Sequence, residues 1–492
     1  MAEEENGNGE ERAEPQEERT VTKHEVEVDG QTLNYTATAG TLVLKEEAEE
    51  DGESKGERAQ ATIFYVAYTL DDVQDVSQRP ITFSFNGGPG SSSVWLHLGV
   101  LGPRRVEMAD EAGNMPRPPF GLVDNAFTLL DKTDLVFIDP VSTGYSRVVP
   151  GEKPKTFHDF EKDIESVGEF IRLYTTRSGR WTSPKFLIGE SYGTTRAAGL
   201  SGFLQERHGL YFNGIMLVSS ILNFQTAYFR PGNDLPYILF LPTYTATAHY
   251  HGRLDDDLQQ KPLREVLDEV EAFALGEYTL ALMQGSALPA DEREEIVEKV
   301  ARYTGLTADY VERANMRLEI MRFTKELLRE EGLTAGRLDS RFTGRDRDDA
   351  GETFEFDPSY AAIQGPYTAA LNDYVRRELQ FESDLPYEIL TDRVRPWSYD
   401  KFQNQYVDVA ETLRKAMNVN PFLRVFVGNG YYDLATPYLA TEYTFNHLGL
   451  PAERQAEDVS MHYYEAGHMM YLHRPSLAQL KEDLATFVEA AV

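Results

Sequence analysis

The strongest signal of the fold in this chain of 492 residues is Lys185-Phe186-Leu187-Ile188-Gly189-Glu190-Ser191-Tyr192-Gly193. Its apolar first half is typical of a buried strand, and the helix-forming run Arg196-Ala197-Ala198-Gly199-Leu200 follows the turn. The order of strand, Gly-x-Ser-x-Gly turn and helix is that of a nucleophile elbow, in which the glycines avoid a clash and the serine oxygen is exposed. The helix also points its positive end at the serine, which favours a developing negative charge. The sequence therefore predicts a serine hydrolase with Ser191 as its nucleophile.

Other buried-strand patterns surround this elbow and predict a mostly parallel sheet. Helical patterns with apolar residues three or four apart separate several of these strands, and such alternation gives a parallel sheet covered on both faces. Ser191 would then stand at the carboxyl end of one strand, where open α/β sheets place their ligands. The predicted strands are residues 81–85, 135–138, 185–188, 214–218, 425–427 and 459–464.

The N-terminal part of the chain has a different pattern. Residues 1–20 are almost wholly polar and acidic, which predicts a disordered tail. Alternating apolar residues at 24–28, 33–44 and 61–70 predict strands that form antiparallel hairpins, with a charged loop at 46–60.

A long helical region interrupts the strand pattern in the second half of the chain. Between residues 223 and 406 no buried-strand run occurs, and long helical patterns take its place. We therefore predict an α/β-hydrolase fold with a core of residues 21–222 and 407–492, and a mainly helical cap insertion at 223–406.

Composition excludes several classes of function. With 81 acidic and 48 basic residues the net charge is −33, which argues against nucleic acid and anionic membranes as partners. The sequence has no run of 18 apolar residues, so no transmembrane helix is predicted. The absence of cysteine excludes disulfides and thiolate metal sites. No cofactor motif stands out, and a packing role is favoured over metal binding for His249 and His251, so we expect neither a metal nor a cofactor.

The N-terminus contains neither a basic region nor an apolar region of a secretory signal. This favours a cytoplasmic location, or secretion if the sequence lacks its leader. The sequence leaves the oligomeric state open.

An activated serine also needs a base and an orienting acid, which in α/β hydrolases follow the serine in the order acid, then histidine. Asp433 and His468 each lie in a loop after one of the last two predicted strands. An isolated aspartate in a turn is more often a solvated turn residue; its place in the order Ser191, Asp433, His468 is what indicates the acid. His462 is the other histidine nearby, but alternation puts it inside the strand, so His468 is the predicted base.

The oxyanion donors have a candidate loop after the first buried strand. Asn86-Gly87-Gly88-Pro89-Gly90-Ser91-Ser92-Ser93 could be an ordinary Gly-Pro turn. Its small residues favour a loop whose backbone N–H groups approach a ligand closely, with a second N–H from Tyr192.

Together these motifs resemble the signature blocks of the serine carboxypeptidases, the S10 peptidase family. The segment 138–146 is similar to a further family block, with Ser142 where a glycine is usual, and residues 235–252 resemble the bacterial branch. The resemblance covers roughly residues 81 to 471. The blocks that carry it are Asn86-Gly-Gly-Pro-Gly-Ser-Ser-Ser, Gly189-Glu-Ser-Tyr-Gly, Gly428-Asn-Gly-x-x-Asp433 and Gly467-His468.

The resemblance implies removal of single residues from the free C-terminus of peptides through an acyl-enzyme, without a cofactor. The implied roles are nucleophile for Ser191, base for His468, orienting acid for Asp433, oxyanion N–H donors for Gly88 and Tyr192, and binding of the substrate carboxylate for Asn86 and Glu190.

One position departs from the family pattern. Relatives share the proton of the residue matching Glu190 with a second glutamate, and Val100 stands at that position here. An uncharged glutamic acid can donate a hydrogen bond to a carboxylate, and burial raises its pKa towards that state. We hypothesise that His97 compensates by offering a cation.

Two other classes of function use the same scaffold. An esterase or acyltransferase would pass the acyl group to water or to another nucleophile. A non-catalytic binding scaffold is the remaining alternative, and the intact set of catalytic residues argues against it.

Overall fold

A ten-stranded sheet runs through the protein, and its parallel half carries the elbow strand. The computed structural model describes residues 15–50 and 52–492. The strands are β1 Arg19–Val28, β2 Gln31–Glu50, β3 Glu53–Leu70, β4 Ile81–Phe85, β5 Arg104–Val106, β6 Leu122–Asp124, β7 Asp134–Ile138, β8 Arg147–Val148, β9 Lys185–Ser191, β10 Gly214–Ser220, β11 Thr334–Ala335, β12 Thr343–Gly344, β13 Arg424–Gly430 and β14 Val459–Tyr464.

The order of the strands in the sheet is β1-β2-β3-β7-β4-β9-β10-β13-β14, and β8 pairs with β3. From β7 to β14 each neighbouring pair is parallel, whereas β1, β2, β3 and β7 are antiparallel neighbours. The mixed, mostly parallel sheet that the sequence predicts is thereby confirmed. Since parallel strands end at one edge, the loops after β4, β9, β13 and β14 meet there.

Helices cover both faces of this sheet. The α-helices are α1 Val94–Leu96, α2 Phe160–Arg177, α3 Tyr192–His208, α4 Leu235–Tyr250, α5 Asp256–Gln259, α6 Leu263–Phe273, α7 Thr279–Gln284, α8 Ala290–Thr304, α9 Ala308–Arg313, α10 Ile320–Glu326, α11 Pro358–Arg377, α12 Ala410–Val419, α13 Tyr438–Asn446, α14 Ala452–Asp458 and α15 Arg474–Ala490. Short π-helical turns lie at His97–Leu101 and Ala274–Tyr278, and 3₁₀ turns at Pro154–Phe157, Phe224–Ala227, Gly285–Ala287, Arg329–Glu331, Asp392–Val394, Asp400–Phe402 and Met470–Leu472.

The alternation of strand β9 shows how the two faces become buried. Phe186 and Ile188 pack into one hydrophobic cluster, with α11 and α15, while Leu187 packs into the opposite cluster, with α2, α3 and α12. Consecutive side chains of a strand point to opposite faces, so a run that is apolar at every position must be covered on both sides. These three side chains have no exposed surface, and each such burial contributes about 1.5–3 kcal/mol.

Helices α4 to α10 form a third hydrophobic cluster, which also contains five residues that follow β13: Tyr432, Leu434, Tyr438, Leu439 and Ala440. This cluster corresponds to the helical part of the predicted cap. Helix α11 lies inside the predicted insertion but packs with the sheet. The cap boundaries at 223 and 406 stay a prediction.

The N-terminal hairpin is longer than the sequence predicts, and the prediction of a charged loop at 46–60 is wrong. Strands β2 and β3 continue through it, with Glu46 opposite Arg58 and Glu47 opposite Glu57. An antiparallel ladder pairs backbone groups whatever the side chains are, and exposed side chains keep their charges in water. Strand β1 begins at Arg19, inside the predicted tail, and residues 1–14 of that tail lie outside the described residues.

In the described part of the chain no helix has the length and apolarity that a membrane crossing requires.

Strand β9 ends in a tight turn that sets Ser191 at the edge of the sheet. The φ of Ser191 is +61° and its ψ is −130°, a conformation that L-residues rarely adopt. A Cβ on Gly189 would lie 2.2 Å from the carbonyl oxygen of Gly193, and one on Gly193 would lie 2.9 Å from that of Phe85. The turn therefore requires glycine on both sides of the serine.

We predict that Gly189→Ala destabilises the protein by about 1–3 kcal/mol, because the new methyl group would overlap backbone rather than a movable side chain. The matched control is Gly276→Ala in the cap, where a Cβ meets nothing within 4 Å and φ is not positive. This control should leave stability unchanged or raise it by up to about 1 kcal/mol. Thermal melting of the two variants measures the difference, and equal melting temperatures would contradict the steric argument.

Candidate active site

Ser191 is the last residue of β9 and the N-cap of α3, and its side chain is partly exposed. The 17 residues of α3 align their peptide dipoles, so the N–H of Tyr192 lies at the positive end of the helix. A negative charge that develops beside Ser191 would therefore be stabilised by the backbone.

Asp433 and His468 form a buried pair in the loops after β13 and β14. The Nδ1 atom of His468 lies 2.7 Å from Oδ2 of Asp433. The carboxylate also accepts hydrogen bonds from the N–H groups of Ala435 (2.7 Å) and Thr436 (3.0 Å) and from the Thr436 hydroxyl (2.6 Å). These donors fix the carboxylate, which in turn orients the imidazole. The other ring nitrogen, Nε2, has no hydrogen-bond partner among the described residues.

Two links join the segment that follows β14 to the elbow. The hydroxyl of Ser219 donates to the backbone oxygen of His468 at 2.7 Å, and its neighbour Ser220 is the strand partner of Ser191. The hydroxyl of Tyr471 donates to Oε2 of Glu190 at 2.6 Å. The predicted base is thus held against the strand ends that carry the predicted nucleophile.

A segment of the predicted insertion also holds both of these loops, which the sequence does not signal. The N–H of His468 donates to the backbone oxygen of Leu338 at 2.6 Å, and the N–H of Leu434 donates to that of Arg337 at 3.1 Å. The N–H of Gly467 donates to the buried carboxylate of Asp339 at 3.1 Å. Residues 337–339 therefore tie the loop of the acid to the loop of the base.

The loop after β4 lies directly against the elbow. A Cβ on Gly87 would be 2.4 Å from the nitrogen of Tyr192, so only glycine permits this approach. Gly88 follows with a φ of +108°. The predicted oxyanion donors, the N–H groups of Gly88 and Tyr192, therefore belong to two loops in backbone contact.

A buried arginine fixes the start of this loop. The guanidinium of Arg196 donates to the backbone oxygen of Asn86 at 2.6 Å and to Oδ2 of Asp163 at 2.8 Å. Both charged side chains are almost fully buried, at 1% and 2% exposure. The guanidinium also lies 5.2 Å from the centre of the Tyr192 ring. In the sequence, Arg196 stands in a helix-forming run and nothing there marks it as buried.

The two residues predicted to bind a substrate carboxylate are in contact with each other. The side-chain amide of Asn86 donates to Oε1 of Glu190 at 3.1 Å, and its own oxygen accepts from the N–H of Leu96 at 3.1 Å. Burial raises the pKa of Glu190 to about 7, against the lowering effects of His468, Tyr471 and Asn86. Near neutral pH a large fraction of Glu190 is therefore uncharged, and a neutral carboxyl can donate to an anion.

The pKa of His468 is displaced in the same direction. Burial lowers it, but the charge and hydrogen bond of Asp433 and the charge of Glu190 raise it, and the net displacement is upward. Arg337 opposes this with a smaller effect. Since His468 and Glu190 influence each other, their titrations are coupled.

The hypothesis that His97 offers a cation is wrong. Its side chain is buried and burial lowers its pKa to about 3, so the ring stays neutral. Nε2 lies 2.6 Å from the Tyr68 hydroxyl, and the ring stacks on Phe137 at 4.2 Å. Val100 is buried in the hydrophobic core of the sheet. His97 is therefore a packing residue.

His249 at the end of α4 and His251 just after it contact backbone carbonyl groups. Nε2 of His249 lies 3.1 Å from the oxygen of Lys261, and that of His251 lies 2.7 Å from the oxygen of Ser340. These contacts hold the C-terminal end of α4.

Comparison with known proteins identifies the family and the fold of this chain. A sequence model described as serine carboxypeptidase matches residues 53–482. The structure is similar to that of Kex1, a prohormone-processing carboxypeptidase from Saccharomyces cerevisiae, with a TM-score of 0.56 and 16% identity over 92% of this chain and 91% of that chain. That likeness shows the α/β-hydrolase fold. A proline iminopeptidase from Mycobacterium smegmatis aligns with a TM-score of 0.38 and 13% identity over 92% of this chain and 98% of its own. No curated protein sequence matched the chain.

We predict that Asp163→Ala destabilises the protein by about 3–5 kcal/mol, because it leaves the buried guanidinium of Arg196 without its counter-charge. Adding Arg196→Met should recover part of this loss. Asp309→Ala removes an exposed ion pair with Arg313 and should cost less than about 1 kcal/mol. Urea unfolding compares the three variants, and equal losses for Asp163→Ala and Asp309→Ala would contradict the prediction.

Proposed function

Because the chain belongs to the serine carboxypeptidase family, we propose that it removes single residues from the free C-terminus of peptides through an acyl-enzyme on Ser191. One observation supports this proposal beyond the family: His468 and Asp433 form a hydrogen bond of 2.7 Å. Further hydrogen bonds hold the segment that carries His468 against the strand ends at the elbow. This arrangement supports a nucleophile, base and acid at one edge of the sheet.

In the proposed acylation step, Nε2 of His468 takes the proton of the Ser191 hydroxyl as Oγ bonds to the carbonyl carbon of the last peptide bond. Asp433 stabilises the resulting imidazolium through Nδ1. The N–H groups of Gly88 and Tyr192 donate to the oxyanion of the tetrahedral intermediate. When the intermediate collapses, the C–N bond breaks and His468 gives its proton to the leaving amino group.

Deacylation repeats these steps with water. His468 takes a proton from water as the water oxygen bonds to the acyl carbon, and the proton then returns to Ser191 Oγ as the ester bond breaks. The shortened peptide leaves with a new carboxylate, so the product can serve as the next substrate.

We further propose that Asn86 and Glu190 bind the terminal carboxylate of the substrate. Their contact at 3.1 Å, the burial of both side chains and the raised pKa of Glu190 support this role. The neutral Glu190 carboxyl would donate to the substrate anion, whereas its ionised form would repel that anion.

We expect Ser191→Ala to lower the hydrolysis of a free-acid peptide by about 10⁴-fold or more, because the covalent step is lost. Wild type should shorten the free-acid peptide stepwise and leave the same peptide with an amidated C-terminus largely intact, as followed by mass spectrometry. The matched control is Ser201→Ala, whose hydroxyl bonds to the backbone of Ala198 within α3. Equal action on acid and amide would contradict the carboxylate clamp, and activity retained by Ser191→Ala would contradict the acyl-enzyme.

The pH dependence should differ between two kinds of substrate. His468 must be neutral to accept a proton, so kcat/KM rises with pH through its pKa, which lies above the ordinary value of about 6.5. Glu190 must be protonated, so kcat/KM for a free-acid peptide falls again as pH passes its pKa of about 7. We predict a narrow bell for the free-acid peptide and a rise to a plateau for a blocked amino-acid ester. A bell of equal width for both substrates would contradict the role of Glu190.

A further inference from the structure

We propose that Tyr471 is a positioning residue that orients the Glu190 carboxyl and sets the pH range in which it holds a substrate carboxylate. This inference rests on the proposed function of Glu190 and extends it to a residue that the sequence motifs do not mark.

Each oxygen of the Glu190 carboxyl accepts a hydrogen bond from a different side chain. The Tyr471 hydroxyl donates to Oε2 at 2.6 Å, and the Asn86 amide donates to Oε1 at 3.1 Å. Glu190 and Tyr471 are each 3% exposed, so water competes little for these contacts. One donor on each oxygen restricts the orientation of the carboxyl plane.

The chain around Tyr471 gives its ring a fixed place. Tyr471 lies in a 3₁₀ turn only three residues after His468, so the base and the phenol share one short segment. The ring packs against Gly99, where a Cβ would lie 2.3 Å from Cε2. A side chain larger than hydrogen at this position would displace the phenol. Gly99 directly precedes Val100, the position at which the sequence lacks a second carboxyl.

The ionisable groups around Glu190 allow the effect of the Tyr471 hydroxyl on its pKa to be predicted. His468 favours the ionised form of Glu190, Asp433 opposes it, and the buried phenol of Tyr367 also feels the Glu190 charge. Burial dominates and raises the pKa of Glu190 to about 7. The Tyr471 hydroxyl acts against burial, because a hydrogen bond donated to a carboxylate stabilises its charged form. Removal of this hydroxyl should therefore raise the pKa of Glu190.

The test is the pH dependence of KM for one free-acid peptide in wild type, Tyr471→Phe and Tyr367→Phe, with a blocked ester as second substrate. In wild type, KM for the peptide should rise as Glu190 ionises. In Tyr471→Phe the midpoint of this rise should move upward by about one pH unit, since a hydrogen bond to a charged group is worth about one to two pKa units. Tyr367→Phe removes a neighbouring phenol that does not bond to Glu190, and its midpoint should stay within about 0.3 units of wild type.

The ester separates a change at Glu190 from a change at the triad. The acid limb for the ester reports His468 and should move by less than the peptide midpoint in Tyr471→Phe. An unmoved or lowered peptide midpoint, or equal upward shifts in both phenol variants, would overturn the role of Tyr471 while leaving the proposed function intact. If wild type shows no preference for free acid over amide at any pH, the carboxylate clamp fails, and the inference about Tyr471 fails with it. Circular dichroism spectra and melting curves establish that each variant is folded.

Discussion

Ser191 can hold a φ of +61° only because glycines stand where its turn meets neighbouring backbone. Gly189 and Gly193 meet within the turn, and Gly87 brings the next loop against the nitrogen of Tyr192. A methyl group at any of the three would overlap main-chain atoms. The approach of the predicted oxyanion loop, the position of Ser191 and the start of α3 all follow from these backbone contacts, so the site depends on them before any side chain contributes.

The second requirement is that loops far apart in the sequence converge. Parallel strands deliver the ends of β4, β9, β13 and β14 to one edge, but their order in the sheet does not by itself orient a carboxylate towards an imidazole. Residues 337–339 do so, since their backbone and the Asp339 carboxylate bind the loops of Asp433 and His468. A segment of the predicted insertion, in which the sequence marks no functional residue, is therefore part of the frame of the site. Buried Arg196 has the equivalent role for the loop of Asn86.

Electrostatic interactions link the proposed binding residue Glu190 to the proposed base His468. In the proposed mechanism, His468 acts as a base only when it has lost its proton, and Glu190 binds a substrate carboxylate only when it has kept its own. Burial raises the pKa of Glu190, and the ionised Glu190 raises the pKa of His468, so neither group titrates alone. A phenol in contact with Glu190 offers a way to adjust one of these equilibria without a second carboxyl. His97 has no part in these proton equilibria, because burial keeps its ring neutral.

The features that depend on local pattern and chain order can be predicted from the residues alone. The strand–turn–helix around Ser191, the mostly parallel sheet, the family, and the candidates Asp433 and His468 all follow from neighbouring residues or from their succession. Which charges are buried, and which groups they contact, depends on the folded chain as a whole. Nothing local distinguishes Arg196 from a surface helix residue, or Tyr471 from a core tyrosine, because their partners lie 33 and 281 positions away in the chain. The extended hairpin at 46–60 was missed for the same reason. Its charged residues pair through backbone atoms, which composition does not record. Burial and strand pairing are properties of the whole fold.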